Sequence, residues 1–123
     1  MKTHKYAFEK LEVWQKSKSL ALEIYRVCQS LPKTEQYGLI SQITRSAISI
    51  CSNIAEGTAR VTKKDQAHFS SIAYSSLMEL LNQIIIAYEL AYIDEAQYQQ
   101  LRSDISKISF QLNNLRNSQI QKI

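Results

Sequence analysis

Apolar residues recur at intervals of three and four along almost the whole chain, the spacing that keeps one face of an α-helix apolar. Leu11, Trp14, Leu20, Ala21, Ile24, Val27, Cys28 and Leu31 predict a first helix over about residues 9–30. Pro32 closes it, because the residue before a proline is driven out of the helical region. Leu39, Ile40, Ile43, Ala47, Ile50, Cys51 and Ile54 predict a second helix over about 35–57, with Thr34 as N-cap and Glu35 in the positively polarised first turn. Gly57 or the residues just after it are expected to end that helix, since glycine relaxes the backbone there. Phe69, Ile72, Ala73, Leu77, Leu80, Ile84, Ala87 and Tyr88 mark a third helix over about 63–91, opened by Thr62 with Asp65 three residues on. Asp94 with Gln97 opens a fourth, over about 95–116, whose seam is Tyr98, Leu101, Ile105, Ile108, Leu112 and Leu115. The tail from Asn117 onward is expected to fray.

All three connections are short, and short loops make successive helices antiparallel neighbours. The expected fold is therefore all-α: an antiparallel, up-down-up-down four-helix bundle forming one domain over residues 1–123. Composition agrees. Two glycines and one proline in 123 residues are too few for the turns of a β-rich fold. No run approaches the roughly 20 apolar residues of a membrane span, and residues 1–6 lack a signal peptide's apolar segment. A cytoplasmic protein is expected, with Cys28 and Cys51 as thiols rather than a disulfide framework.

Polar residues break the apolar pattern in one informative place. Ser52-Asn53-Ile54-Ala55-Glu56-Gly57 puts an amide and a carboxylate one turn apart near the end of the second helix. Gln42, Arg45 and Ser49 extend that stripe backwards. It reads as a solvated face, as a polar network fixing helix register or a subunit contact, or as a ligand site. With Phe8-x-x-Leu11-x-Val13-Trp14, Pro32-x-x-Glu35-x-Tyr37-Gly38-Leu39-x-x-Gln42-Ile43-x-Arg45-x-Ala47 and Phe69-x-x-Ile72-Ala73-x-Ser75-Ser76-Leu77-x-Glu79-Leu80, the run resembles the bacterial four helix bundle protein family. That family was first described from proteins encoded in 23S rRNA intervening sequences. Three positions depart from its pattern. Thr44 stands where a basic residue is frequent, Cys51 where proline is common, and Ser75 where glycine is frequent. The resemblance implies a closed ring of subunits, typically a pentamer, and no established enzyme activity or cofactor. Similar bundles serve as accessory subunits of reverse transcriptases in diversity-generating retroelements, which implies RNA and a polymerase as conceivable partners.

The residues give little support to catalysis. Asp65-x-x-His68 is half of a bundle di-iron motif, but no second helical histidine exists to complete it, so no metal is expected. Cys28 and Cys51 lie on apolar stripes without a basic neighbour in sequence, and no glycine-rich phosphate loop is present.

Two further patterns point to assembly and binding. Consecutive helical residues diverge by about 100°, so Ile84-Ile85-Ile86 cannot all face one core. Leu80-Leu81 and Ala47-Ile48 show the same excess. Ile48, Leu81, Ile85 and Ile86 are therefore candidates for a face buried by a neighbouring subunit, and a repeated heterologous contact closes into a ring. The net charge is +4. In the expected topology, Lys5, Lys10, Arg60, Lys63, Lys64 and Arg116, with Lys2 and Lys122, collect at one end of the bundle. Glu35, Glu89, Asp94 and Glu95 collect at the other, with Lys33 as an exception. A basic end of this kind suits the phosphates of RNA, though flexible solubilising termini would look the same. Only Tyr6 and Phe8 accompany it as aromatics, so sequence-tolerant binding is expected. The sequence thus describes a non-enzymatic oligomeric adaptor for RNA or, alternatively, a protein-binding scaffold.

Overall fold

A computed structural model describes residues 2–123. Four α-helices make up the structure: α1 Glu12–Cys28, α2 Leu39–Thr58, α3 Lys63–Glu89 and α4 Glu95–Gln121. No strand occurs among the described residues. Each helix packs on its neighbour in the chain, and α1 also meets α4, whereas the diagonal pairs stay apart. The contact of α2 with α3 is the most extensive and that of α1 with α4 the least among the helix pairs. The arrangement is that of an all-α four-helix bundle.

The core is where the periodicity puts it. Ile24, Ile43, Ile50, Leu77, Leu80, Ile84, Leu101, Ile108 and Leu112 are fully buried and come from all four helices. Each such side chain stabilises the fold by about 1.5–3 kcal/mol relative to exposure. Leu11, Trp14, Cys51 and Leu115 pack on this core from its margins. Several buried positions are not apolar. Ser17, Ser46, Ser70, Gln83 and Gln119 are all inside.

The helix ends differ from expectation in ways that local chemistry explains. The first helix does not begin at residue 9. Ala7–Lys10 form a separate 3-10 turn, and Leu11 is extended before α1 starts. The second helix begins at Leu39 rather than 35, and Thr34 does not cap it. Pro32 starts a 3-10 turn over Lys33–Glu35, and Gly38 breaks the run with φ −111° and ψ −106°. Glu35 still serves the helix, because Oε1 accepts from the Leu39 amide at 3.5 Å. The fourth helix does not fray after Arg116. It continues to Gln121, because Gln119 is buried and its Oε1 accepts from Ser70 Oγ at 2.7 Å.

The caps of α3 and α4 form as their sequences predict. The Thr62 hydroxyl accepts from the Asp65 amide at 3.1 Å. At α4 the box is reciprocal: Asp94 Oδ1 accepts from the Gln97 amide at 2.7 Å, and Gln97 Oε1 accepts from the Asp94 amide at 3.1 Å. Gly57 acts otherwise than expected. No glycine adopts positive φ, and Gly57 is a buried, ordinary helical residue of α2. What it provides is space. A Cβ there would lie 3.0 Å from the Cβ of Phe69 on α3, so glycine lets the two helices approach.

Candidate nucleic-acid interface

The stretch that joins α2 to α3 carries the densest group of cations. Arg60 follows the end of α2, while Lys63 and Lys64 form the first residues of α3. All three are exposed. They sit at a helix N-terminus, whose unpaired amides add positive potential. Arg60 is held in place by Phe69, its guanidinium lying 4.8 Å from the ring centre. Its carbonyl accepts from Gln66 Nε2 at 2.9 Å, which stiffens the turn. Beneath Arg60 is a cleft of about 220 Å³ lined by Glu56, Ala59, Arg60 and Phe69.

The other predicted cations fare differently. Lys5 and Lys10 are exposed beside the N-terminal 3-10 turn. Arg116 is half-buried, stacks 5.1 Å from the Tyr74 ring and donates to Asn113 Oδ1 at 2.6 Å. Its guanidinium is committed to that packing and is less available than a free lysine. Among the described residues, ion pairs form only between Lys16 and Glu12 (3.4 Å) and between Arg26 and Glu23 (2.6 Å), both on α1. Lys5, Lys10, Arg60, Lys63, Lys64 and Arg116 therefore carry charge that no carboxylate neutralises at contact.

The α3–α4 connection has the opposite character. Tyr88 donates to Glu95 and stacks face to face on Tyr98, with ring centres 4.0 Å apart. Tyr92 donates to Glu35 at 3.0 Å, tying the α1–α2 connection to the α3–α4 connection. The bond to Glu95 raises the Tyr88 pKa and lowers that of Glu95, so this phenol stays neutral and this carboxylate charged at neutral pH. Two of the four acidic groups here, Glu35 and Glu95, thus accept from tyrosine hydroxyls.

The polar stripe of α2 divides. Asn53 Nδ2 donates to the Ser49 carbonyl at 2.8 Å and to Ser49 Oγ at 3.1 Å, and Ser49 Oγ meets Ser76 Oγ at 2.8 Å. Ser46, which lies outside the predicted stripe, donates to Glu79 Oε1 at 2.6 Å. These bonds stitch α2 to α3. Gln42, Arg45, Ser52 and Glu56 lie exposed outside that network. Of the apolar surface candidates, Ile48 and Ile86 are exposed at 45% and 42%, while Leu81 and Ile85 are half-buried against the core.

Groups suited to covalent or metal chemistry do not converge. Burial pushes both thiols up to about 11, with Lys18 partly offsetting this at Cys51, so neither supplies a thiolate near neutrality. Asp65 and His68 are both exposed, and no group of three or more His, Cys, Asp or Glu side chains gathers among the described residues. No helix among them is long and apolar enough to cross a membrane.

Phe69 is a candidate for this surface that its apolar spacing conceals. Its place on the apolar stripe marked it as core, yet it is half-buried and supports Arg60. Its neighbourhood with Gly57 was the available signal, since a glycine inside a helix often marks close approach.

Fold and surface together define a helical-bundle protein with a cationic helix–helix connection. The chain matches the 23S rRNA-intervening sequence protein family over residues 9–114 and belongs to it. It is also similar to the crystal structure of a protein with unknown function from the S23 ribosomal protein family of Bacteroides thetaiotaomicron. That similarity has a TM-score of 0.79 and 25% identity, covering 85% of this chain and 97% of that one. No protein of curated function matches the chain.

Proposed function

We propose that this protein is a non-enzymatic, ring-forming adaptor that binds RNA through the basic end of an antiparallel, up-down-up-down bundle. The observation that carries the reading is that, among the described residues, no carboxylate pairs with Arg60, Lys63 or Lys64 around the α2–α3 connection. Unpaired surface cations are what exchange with condensed counterions on a polyphosphate. The antiparallel course is supported by residue pairs that run in opposite order, Ser46 with Glu79 and Ser49 with Ser76. It brings Lys5, Lys10 and the α2–α3 connection to one end. Ring closure is supported by exposed apolar residues on more than one face. Leu22 on α1, Ile48 on α2 and Ile86 on α3 are each exposed to about half. A ring would repeat the cationic connection around an axis, so that weak phosphate contacts act together.

The test is fluorescence anisotropy with single-stranded RNA at low and high salt, with particle mass measured on the same sample. Binding should weaken steeply with salt and be lost when Arg60, Lys63 and Lys64 are all replaced by glutamate. Absence of binding at low salt would remove the RNA reading and leave a protein-binding scaffold, such as a polymerase accessory subunit, in its place.

A further inference from the structure

We infer that the cleft formed by Glu56, Ala59, Arg60 and Phe69 receives one unpaired base of a bound RNA strand and prefers guanine. The inference rests on the RNA reading above and adds a specificity to it.

The geometry begins with a pairing that does not form. Glu56 lies in the last turn of α2 and Arg60 just beyond its end, close enough in the chain for their opposite charges to meet. Here they do not join. Arg60 turns instead onto the ring of Phe69, 4.8 Å from its centre. Neither of the two ion pairs among the described residues involves Glu56, and no hydrogen bond among those residues reaches its carboxylate. An exposed carboxylate without a partner, in a stretch of uncompensated cations, is an unusual choice for a surface that binds only phosphates. It repels them and so needs a different role.

The cleft supplies that role. At about 220 Å³ it is smaller than the 300–1,000 Å³ of sites for drug-sized molecules, so it suits one flat ring system. The guanidinium of Arg60, backed by Phe69, offers a delocalised surface of the kind on which splayed-out RNA bases stack. Ala59 and Phe69 give the cleft an apolar lining. Glu56, which also lines the cleft, carries two acceptor oxygens and no donor. Guanine alone among the four bases carries two adjacent donors on its Watson–Crick edge, N1–H and the N2 amino group, and can engage both oxygens. Adenine and cytosine offer an amino group beside an acceptor, and uracil a single imide N–H between two acceptors. Lys63 and Lys64 lie three and four residues beyond Arg60, where they can take the flanking phosphates. Base pairing would occupy the same edge of guanine, so the site selects unpaired strands.

The experiment measures binding of short single-stranded RNAs, uridine-rich throughout, that carry one central guanosine, adenosine, cytidine or uridine. The wild-type protein should bind the guanosine strand about tenfold more tightly than the others, the size expected of a bidentate base contact. Glu56→Gln should bring that ratio close to one. Arg60→Lys keeps the charge but removes the flat surface, so it should lose most of the preference while the salt dependence stays nearly unchanged. Annealing the guanosine strand to its complement should abolish the preference. Salt-sensitive binding that is equal for all four strands would overturn the guanine site and leave the basic end standing. No binding of any strand at low salt would overturn both. Glu56 is exposed, so circular dichroism of Glu56→Gln should match the wild type.

Discussion

At the scale of single residues, Gly57 shows how a family-like motif can be read correctly for position and wrongly for cause. Glycine inside a helix normally costs about 1 kcal/mol relative to alanine. Gly57→Ala should nevertheless destabilise this protein, because the new Cβ is fixed to the backbone 3.0 Å from the Phe69 Cβ. Relief requires α2 and α3 to move apart, at a cost of about 1–3 kcal/mol. Thermal unfolding followed by circular dichroism should show a lower midpoint, and an unchanged or raised midpoint would remove the close-approach account. The two cysteines illustrate a milder effect of surroundings. Their thiols titrate near 9 when exposed and are pushed up to about 11 by burial. The native state therefore holds its protons more firmly than the unfolded chain. The stability this confers is complete below about pH 9 and fades as pH rises toward 11.

At the scale of elements, capping and periodicity carried most of the information, and they failed where a partner lay far away in sequence. The α4 start was legible because Asp94 and Gln97 satisfy each other within one turn. Asp94→Ala should cost about 1 kcal/mol, measurable as a reduced midpoint in urea denaturation with little change in slope. The α2 start was not legible in the same way. Thr34 and Glu35 look like a helix opening, but Gly38 turns the chain first, and Glu35 is drawn toward Tyr92, 57 residues away. The end of α4 was missed for the same reason, since its last turn depends on the Ser70–Gln119 bond across 49 residues. The candidate site was half-legible. Charge runs announced Arg60, Lys63 and Lys64, whereas Phe69 beneath Arg60 has the same spacing as a core residue and is distinguished only by its tertiary neighbours. The buried serines, Ser17 and Ser46, were invisible to a rule that equates inside with apolar.

At the scale of the whole molecule, excess apolar residues bear on assembly, and the fold sorts them. Ile85 and Leu81 lean on the core, so their apparent excess is mostly absorbed by the bundle itself. Ile48 and Ile86 are not absorbed. Ile48→Glu and Ile86→Glu should each reduce the particle mass in sedimentation or light scattering while leaving the helical signal intact. Ile85→Glu should instead lower stability. If Ile48→Glu and Ile86→Glu leave the mass unchanged, the subunit contact lies elsewhere. A ring of this kind needs two different surfaces per copy, because a heterologous contact joins unlike patches. The exposed Leu22, Ile48 and Ile86, on three different helices, are the residues at which to look for them.

The slack between α1 and α4 has a kinetic consequence. A groove of about 760 Å³ runs along that seam, with polar residues such as Gln15, Ser19, Gln100 and Asp104 over the buried Leu20 and Ile108. The extensive α2–α3 contact, by contrast, joins segments separated by a connection of only a few residues, the cheapest kind of long helix pairing to close. On these grounds the central α2–α3 pair is expected to form early, α4 to add to it and α1 to dock last. Hydrogen exchange should then show the amides of α1 exchanging before those of α2 and α3, and equal protection of α1 would overturn that order. Any partner that settles into the α1–α4 seam would slow that exchange and hold the bundle shut.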